Sequence, residues 1–94
     1  MRALIKTTGE VVDLPSPTSI ERIRTLIGAE TLDTILLADR IHVMILDDLG
    51  HSKGLPTNIL ATHHYWTKCG GANENYIVGD VIVVPDSDFG NSHA

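Results

Sequence analysis

The run from Ile41 to Leu46 constrains the fold most, because it is apolar at almost every position. A strand with one face in water alternates apolar and polar residues, whereas a strand covered on both faces does not. We therefore expect this run to form a central strand that is covered on both faces.

Most of the sheet is predicted to come from two β-hairpins. In the first, Thr7-Thr8-Gly9 separates two aliphatic-rich runs, and Gly9 can supply the positive φ of a tight turn. In the second, residues 38 to 40 separate two apolar runs. A fifth strand is expected near the end of the chain, where Pro85 stops it. The five predicted strands are residues 2–6, 10–14, 34–37, 41–46 and 76–84.

One well-defined helix is predicted over residues 18–27, covering one face of the central strand. Thr18 and Glu21 have the spacing of a capping box, and Gly28 is a natural C-terminal cap. Its apolar residues follow i, i+3 and i+4 spacing. They are Ile20, Ile23, Leu26 and Ile27. A short second helical turn is expected over Leu60 to Lys68, although several of its residues are only moderate helix formers.

These elements predict an α+β fold in a chain of 94 residues. We expect a single small domain over residues 1–89, with a mostly antiparallel sheet of about five strands, one packed helix and a short second helical turn. Residues 90–94 are expected to fray. A domain of this size has a thin core and often gains stability by association, so a homo-oligomer is predicted.

Charge and hydropathy exclude several classes of protein. Twelve acidic and seven basic residues give a net charge of −5, which disfavours binding to duplex nucleic acid. No apolar run approaches the roughly 20 residues of a membrane span, and the N-terminus lacks the apolar region of a secretion signal. The single cysteine, Cys69, agrees with a reducing compartment. We expect a cytoplasmic protein that has no membrane partner.

The first candidate ligand-binding motif runs from Lys53 to Asn58. Gly54 beside Lys53 lets backbone N–H groups and an ammonium converge on a phosphate, while Asn58 offers both a donor and an acceptor. The motif lacks the spacing of a P-loop. In the alternative interpretation, Gly54 and Pro56 shape a turn and Asn58 caps the next segment.

The second candidate motif concentrates two imidazoles and two aromatic rings in four consecutive residues. They are His63, His64, Tyr65 and Trp66. Aromatic rings can stack on a nucleobase, and histidine can hydrogen-bond a phosphate or a ring nitrogen. Alternatively, an aromatic ring fills the core, or Trp66 lies at a subunit interface, and the histidines are solvated.

No catalytic signature is visible, so we predict no catalytic residue, no cofactor and no bound structural metal. Four side chains are of types that bind metals, but no two of them have the Cys-x-x-Cys or His-x-x-x-His spacing that is typical of a zinc site. They are His51, His63, His64 and Cys69. The pairs Asp47-Asp48 and Asp86/Asp88 could hold Mg²⁺, but acids at strand ends ordinarily form turns.

Three segments together resemble the uncharacterised domain-of-unknown-function family 3846. They are Gly50 to Asn58, Ala61-Thr62, and Gly79 to Val84, of which Lys53-Gly54-Leu55-Pro56 with Asn58 is the most specific part. Proteins of this family occur in bacteriophages, plasmids and related bacterial elements. The resemblance covers most of the chain and implies a phage or mobile-element origin, without implying a chemistry. The string from His63 to Trp66 and the Gly70-Gly71 loop depart from the family pattern.

The favoured hypothesis is a non-enzymatic homo-oligomer that binds a nucleotide-type ligand between the Lys53–Asn58 loop and the His63–Trp66 string. Together with a mobile-element origin, it predicts a phage protein that sequesters a signalling nucleotide to counter host defence. The alternative is a protein-interaction module that presents an exposed sheet edge or Trp66 to a host protein and inhibits it. A small enzyme acting on nucleotides is the third hypothesis.

Overall fold

A computed structural model describes residues 2–37, 40–68 and 76–89, and it describes the side chains of these residues except those of 64–68 and 89. The predicted α+β class is confirmed. The elements are β1 (Ala3–Ile5), β2 (Val11–Asp13), α1 (Ile20–Ile27), β3 (Leu32–Leu36), β4 (His42–Asp47), α2 (Ile59–Lys68), β5 (Val81–Pro85) and a 3-10 turn (Asp86–Phe89).

The strands form one antiparallel sheet in the order β2, β1, β5, β4, β3. The last strand of the chain, β5, therefore lies between the two hairpins. Ile82 is opposite Leu4 on one side and opposite Ile45 on the other. This central position agrees with the burial of β5, in which the four residues before Pro85 are all buried.

Each face of the sheet packs against a helix. On one face, Ile23 and Ile27 of α1 lie in a cluster with Val43 and Ile45 of β4. On the other face, Met44 clusters with Ala61 of α2. The alternating side chains of β4 thus enter two separate cores, which confirms a strand covered on both faces. The second helix, predicted over Leu60 to Lys68, begins one residue earlier at Ile59 and also packs on the sheet.

The start of α1 differs from the prediction by one residue. Ser19, not Thr18, is the N-cap, because its backbone is extended and its hydroxyl accepts a hydrogen bond from the Arg22 N–H at 3.2 Å. Thr18 instead donates to the Ser16 carbonyl. Glu21 therefore lies one position too early for a capping box. The predicted C-terminal cap is confirmed, since Gly28 adopts the left-handed conformation with φ of 67°.

The strand boundaries also differ from the predicted ones. The first hairpin turns at Gly9, whose φ is 91°, as expected. In contrast, β3 begins at Leu32, two residues before its predicted start, and β5 begins at Val81 rather than at residue 76. Gly79 has a φ of 79°, which breaks the extended backbone ahead of β5. Val78 makes only an isolated bridge with Thr57.

Within the described residues, no helix has both the length and the apolar character needed to cross a bilayer. The expected fraying of residues 90–94 falls outside the described part of the chain.

Candidate binding groove

Lys53 is held in an ion pair within the protein. Its Nζ lies 2.7 Å from Oδ2 of Asp47 and 3.5 Å from the carbonyl oxygen of Gly28. The Asp47 side chain is 2% exposed, whereas that of Lys53 is 35% exposed. The hydrogen bond from Lys53 lowers the pKa of Asp47 against the opposing effect of burial. The lysine that was predicted to bind a phosphate therefore already neutralises a buried carboxylate.

The backbone N–H groups of the predicted anion cradle are also engaged. The amides of Lys53, Gly54 and Leu55 donate to the carbonyls of Leu49, His51 and Gly50. Gly54 has a φ of 68°, which explains the glycine as a turn residue. In this conformation, these three amides are not available to a phosphate.

Asn58 takes the structural role that was the alternative interpretation. The residue is 0% exposed. Its Nδ2 donates to the carbonyls of Ile5 and Gly79, and its Oδ1 accepts from the Ala61 N–H, each at 2.9 Å. The side chain therefore caps α2 and ties its first turn to the sheet, and it cannot read the polar edge of a ligand without giving up these bonds.

The cap at Asn58 decides which side of α2 faces solvent. Ala61 and Thr62 are buried, and the Thr62 hydroxyl accepts a hydrogen bond from the Ile77 N–H at 2.9 Å. With these residues facing inward, Ile59 and Leu60 remain 77% and 39% exposed. Both lie in the first turn of α2.

Two adjoining grooves, together called the α2 groove, lie along this exposed side. One, of about 400 Å³, separates α2 from the β1–β2 turn and is lined by Thr7, Thr8, Gly9, Ile59, Leu60 and His63. The other, of about 170 Å³, is lined by Thr57, Ile59, Thr62, His63 and Tyr76. Ile59 and His63 line both, and Tyr76 is 52% exposed. The groove thus combines apolar and aromatic surface with threonine side chains and one imidazole.

Lys53 and His63, one from each predicted motif, do not lie in one site, although Thr57 of the first motif lines the smaller groove with His63. Lys53 reaches the C-terminal end of α1 at Gly28, whereas His63 belongs to α2 on the opposite face of the sheet. The side chains of His64, Tyr65 and Trp66 lie outside the described part of the chain. The same is true of Cys69.

The aspartates considered for Mg²⁺ include two that are paired with cations. Asp47 is bound by Lys53, and Asp88 accepts hydrogen bonds from Nε and Nη2 of Arg2, each at 2.7 Å. The Arg2 hydrogen bonds lower the pKa of Asp88 against the effect of burial. Among the described residues, no group of three or more histidine, cysteine, aspartate or glutamate side chains is placed to hold a metal ion.

Sequence reasoning missed Ile59, Leu60 and Tyr76 as parts of the groove. The available signal was Asn58, because an asparagine cap fixes where a helix begins and so determines its inward and outward positions. With the cap at 58, the i, i+1 and i+4 positions of the exposed side are Ile59, Leu60 and His63.

In comparisons with known proteins, the chain matches no family model, no curated protein and no solved structure. The resemblance to family 3846 therefore stays an expectation from the residues quoted above.

Proposed function

We propose that this protein is a non-enzymatic binding protein and that an apolar segment of a second protein binds in the α2 groove. The observation that carries this proposal is the exposure of Ile59, Leu60 and Tyr76 around two adjoining grooves. Adjacent exposed apolar side chains that border a groove are typical of interaction surfaces.

Charge favours a protein segment over an anionic ligand. The described lining of the groove contains no lysine or arginine, and Lys53 is paired with Asp47. The chain as a whole carries a net charge of −5. Basic residues flanking an apolar segment would increase its rate of association with such a protein. The expected partner segment is therefore apolar where it enters the groove and basic on either side.

This proposal corresponds to the interaction module that was the second hypothesis from sequence, with the α2 groove in place of a sheet edge or Trp66. If the resemblance to family 3846 reflects common origin, the partner is a host protein that a phage or mobile element inhibits. The single cysteine supports the cytoplasm as the compartment in which they meet.

Photo-crosslinking tests the proposal at the level of a single residue. A benzophenone amino acid replaces Ile59, the first residue of α2, or Ile20, the first residue of α1, which is also exposed. We expect a discrete adduct with a second protein from position 59 and none from position 20. No adduct from position 59, the same adduct from both positions, or an adduct of two copies of this chain would overturn the proposed occupant.

A second candidate function is the binding of a nucleotide-type ligand in the smaller groove, which keeps the sequestering role predicted from sequence. Its support is that His63 and Tyr76 line the same space. In this version Tyr76 supplies the stacking surface that was expected from Tyr65 or Trp66.

Calorimetric titration with cyclic AMP and ATP separates the two functions. If a nucleotide binds, Tyr76→Ala weakens binding by about 5-fold to over 100-fold, as expected for loss of a base stack of about 1 to 3 kcal/mol. Lys53→Ala leaves the affinity unchanged, because Lys53 does not line the groove. No heat from either nucleotide counts against this second candidate.

A further inference from the structure

The strand β3 forms one edge of the sheet, and its hydrogen-bonding pattern shows which groups face away from β4. The Leu37 N–H donates to the His42 carbonyl, and the Asp48 N–H donates to the Thr31 carbonyl. In an antiparallel ladder, inward and outward residues alternate. The backbone groups of Asp33 and Ile35 therefore face β4. Those of Leu32, Thr34 and Leu36 face outward.

The central outward donor on this edge is already bonded. The Thr34 N–H donates to Oδ1 of Asp33 at 2.9 Å. A carbonyl oxygen of an added strand would accept a hydrogen bond from this N–H. Oδ1 of Asp33 already lies in the position of that carbonyl oxygen. Native sheets protect exposed edges with charged side chains of this kind.

Without this protection, β3 is suited to pair with itself. Two copies aligned antiparallel about Thr34 place Leu32 opposite Leu36, and in each copy both residues have outward backbone groups. Leu36 is 55% exposed, so the pairing would cover it. The same alignment places the Asp33 carboxylate opposite the apolar Ile35 of the second copy.

We propose that Asp33 protects the edge of the sheet and prevents a second copy of this chain from pairing along β3. This edge protection has two parts. Oδ1 holds the Thr34 donor, and the carboxylate resists burial beside an apolar side chain. The opposite edge, β2, is only three residues long and offers a shorter template.

Light scattering on purified variants tests whether Asp33 protects the edge. Asp33→Ala removes both parts, and we expect it to raise the weight-average mass to about twice that of the wild type at the same concentration, as for a two-fold pair. Asp33→Asn keeps the oxygen acceptor and a polar group that still resists burial beside Ile35, and we expect the wild-type mass. An unchanged mass for a folded Asp33→Ala variant, or a doubled mass for Asp33→Asn, would overturn the proposal.

A double variant locates the association on β3. Adding Thr34→Pro to Asp33→Ala removes the outward donor without removing a bond to β4, because this N–H faces away from the ladder. The mass should return to the wild-type value. A mass that stays doubled would place the association on another surface and contradict the protection of β3 by Asp33.

Hydrogen exchange in the wild type provides a test that needs no variant. The amides of Thr34 and Leu36 both face outward from the same strand, but only Thr34 is bonded to the Asp33 side chain. After correction for intrinsic rates, the Thr34 amide should exchange more slowly than the Leu36 amide. Equal rates would show that the Asp33 bond does not protect the edge.

Discussion

The Nζ of Lys53 lies 2.7 Å from Oδ2 of Asp47, a carboxylate whose side chain is only 2% exposed. The same ammonium is 3.5 Å from the Gly28 carbonyl at the end of α1. Lys53 thus joins the loop after β4 to the helix and compensates a buried charge. This relationship explains why the lysine that looked most like a phosphate ligand has a structural role.

Replacing Lys53 should therefore destabilise the fold. We expect Lys53→Met to lower the free energy of unfolding by about 1 to 3 kcal/mol, less than the loss of a fully buried pair because the lysine is partly exposed. Lys6→Met is the matched control. Lys6 pairs at 3.5 Å with an exposed Glu10, so its loss should cost less than about 1 kcal/mol. Urea unfolding measures both, and equal effects would contradict the role of Lys53.

Stability should fall in acid. Hydrogen bonds from Lys53 and Arg2 hold the pKa values of Asp47 and Asp88 below their ordinary value of 3.8. A carboxyl group with a lowered pKa in the folded state stabilises the fold above its unfolded pKa, and this contribution is lost as pH falls through the folded value. Urea unfolding from neutral pH to about 2 should show the decline. The variant with both Asp47→Asn and Asp88→Asn should show a shallower decline, and an identical slope would contradict the assignment.

Asn58 should be important for the stability of the fold rather than for ligand affinity. Asn58→Ala removes the cap of α2 and both bonds to backbone carbonyls, and we expect a loss of about 2 to 4 kcal/mol. Asn58→Ser retains an oxygen for the cap and should lose less. For a domain of this size, each kcal/mol lowers the melting temperature by about 4 to 8 °C. Thermal unfolding that shows no change in Asn58→Ala would rule out this role.

Gly79 should tolerate a side chain less well than Gly54. Both have a positive φ, so alanine at either position incurs a conformational cost of about 1 kcal/mol. A Cβ at Gly79 would also lie 2.8 Å from Cδ1 of Leu55, whereas, among the described residues other than its chain neighbours, no atom lies within 4 Å of a Cβ at Gly54. We expect Gly79→Ala to cost about 1 kcal/mol more than Gly54→Ala, because Leu55 must shift. Chemical denaturation of the two variants checks the difference.

The sequence predicted the elements more accurately than their ends. The apolar run through Met44 identified a strand covered on both faces, and Gly9 and Gly28 identified a turn and a helix cap because positive φ values favour glycine. Choosing Ser19 over Thr18 as the N-cap depends on a single hydrogen bond that two adjacent hydroxyl residues could each make. Spacing alone could not decide between them.

The site was less predictable because its residues become neighbours only through the tertiary fold. Lys53 and Asp47 are close in sequence, but their pairing depends on the burial of the carboxylate beside α1. Ile59 and the β1–β2 turn at Thr8 are about fifty residues apart in the chain. Their shared groove follows from α2 packing beside β1, which no local pattern shows.

The most direct test of the account is a calorimetric titration of the purified partner that crosslinks to position 59 against three forms of this protein. They are the wild type, Ile59→Asp and Ile20→Asp. Burying an isoleucine side chain contributes about 1.5 to 3 kcal/mol, so Ile59→Asp should weaken binding by at least about tenfold. Ile20→Asp introduces the same charge at the start of α1 and should leave the affinity within about twofold of the wild type. Equal affinities for Ile59→Asp and wild type, or equal losses in both variants, would contradict binding at the α2 groove.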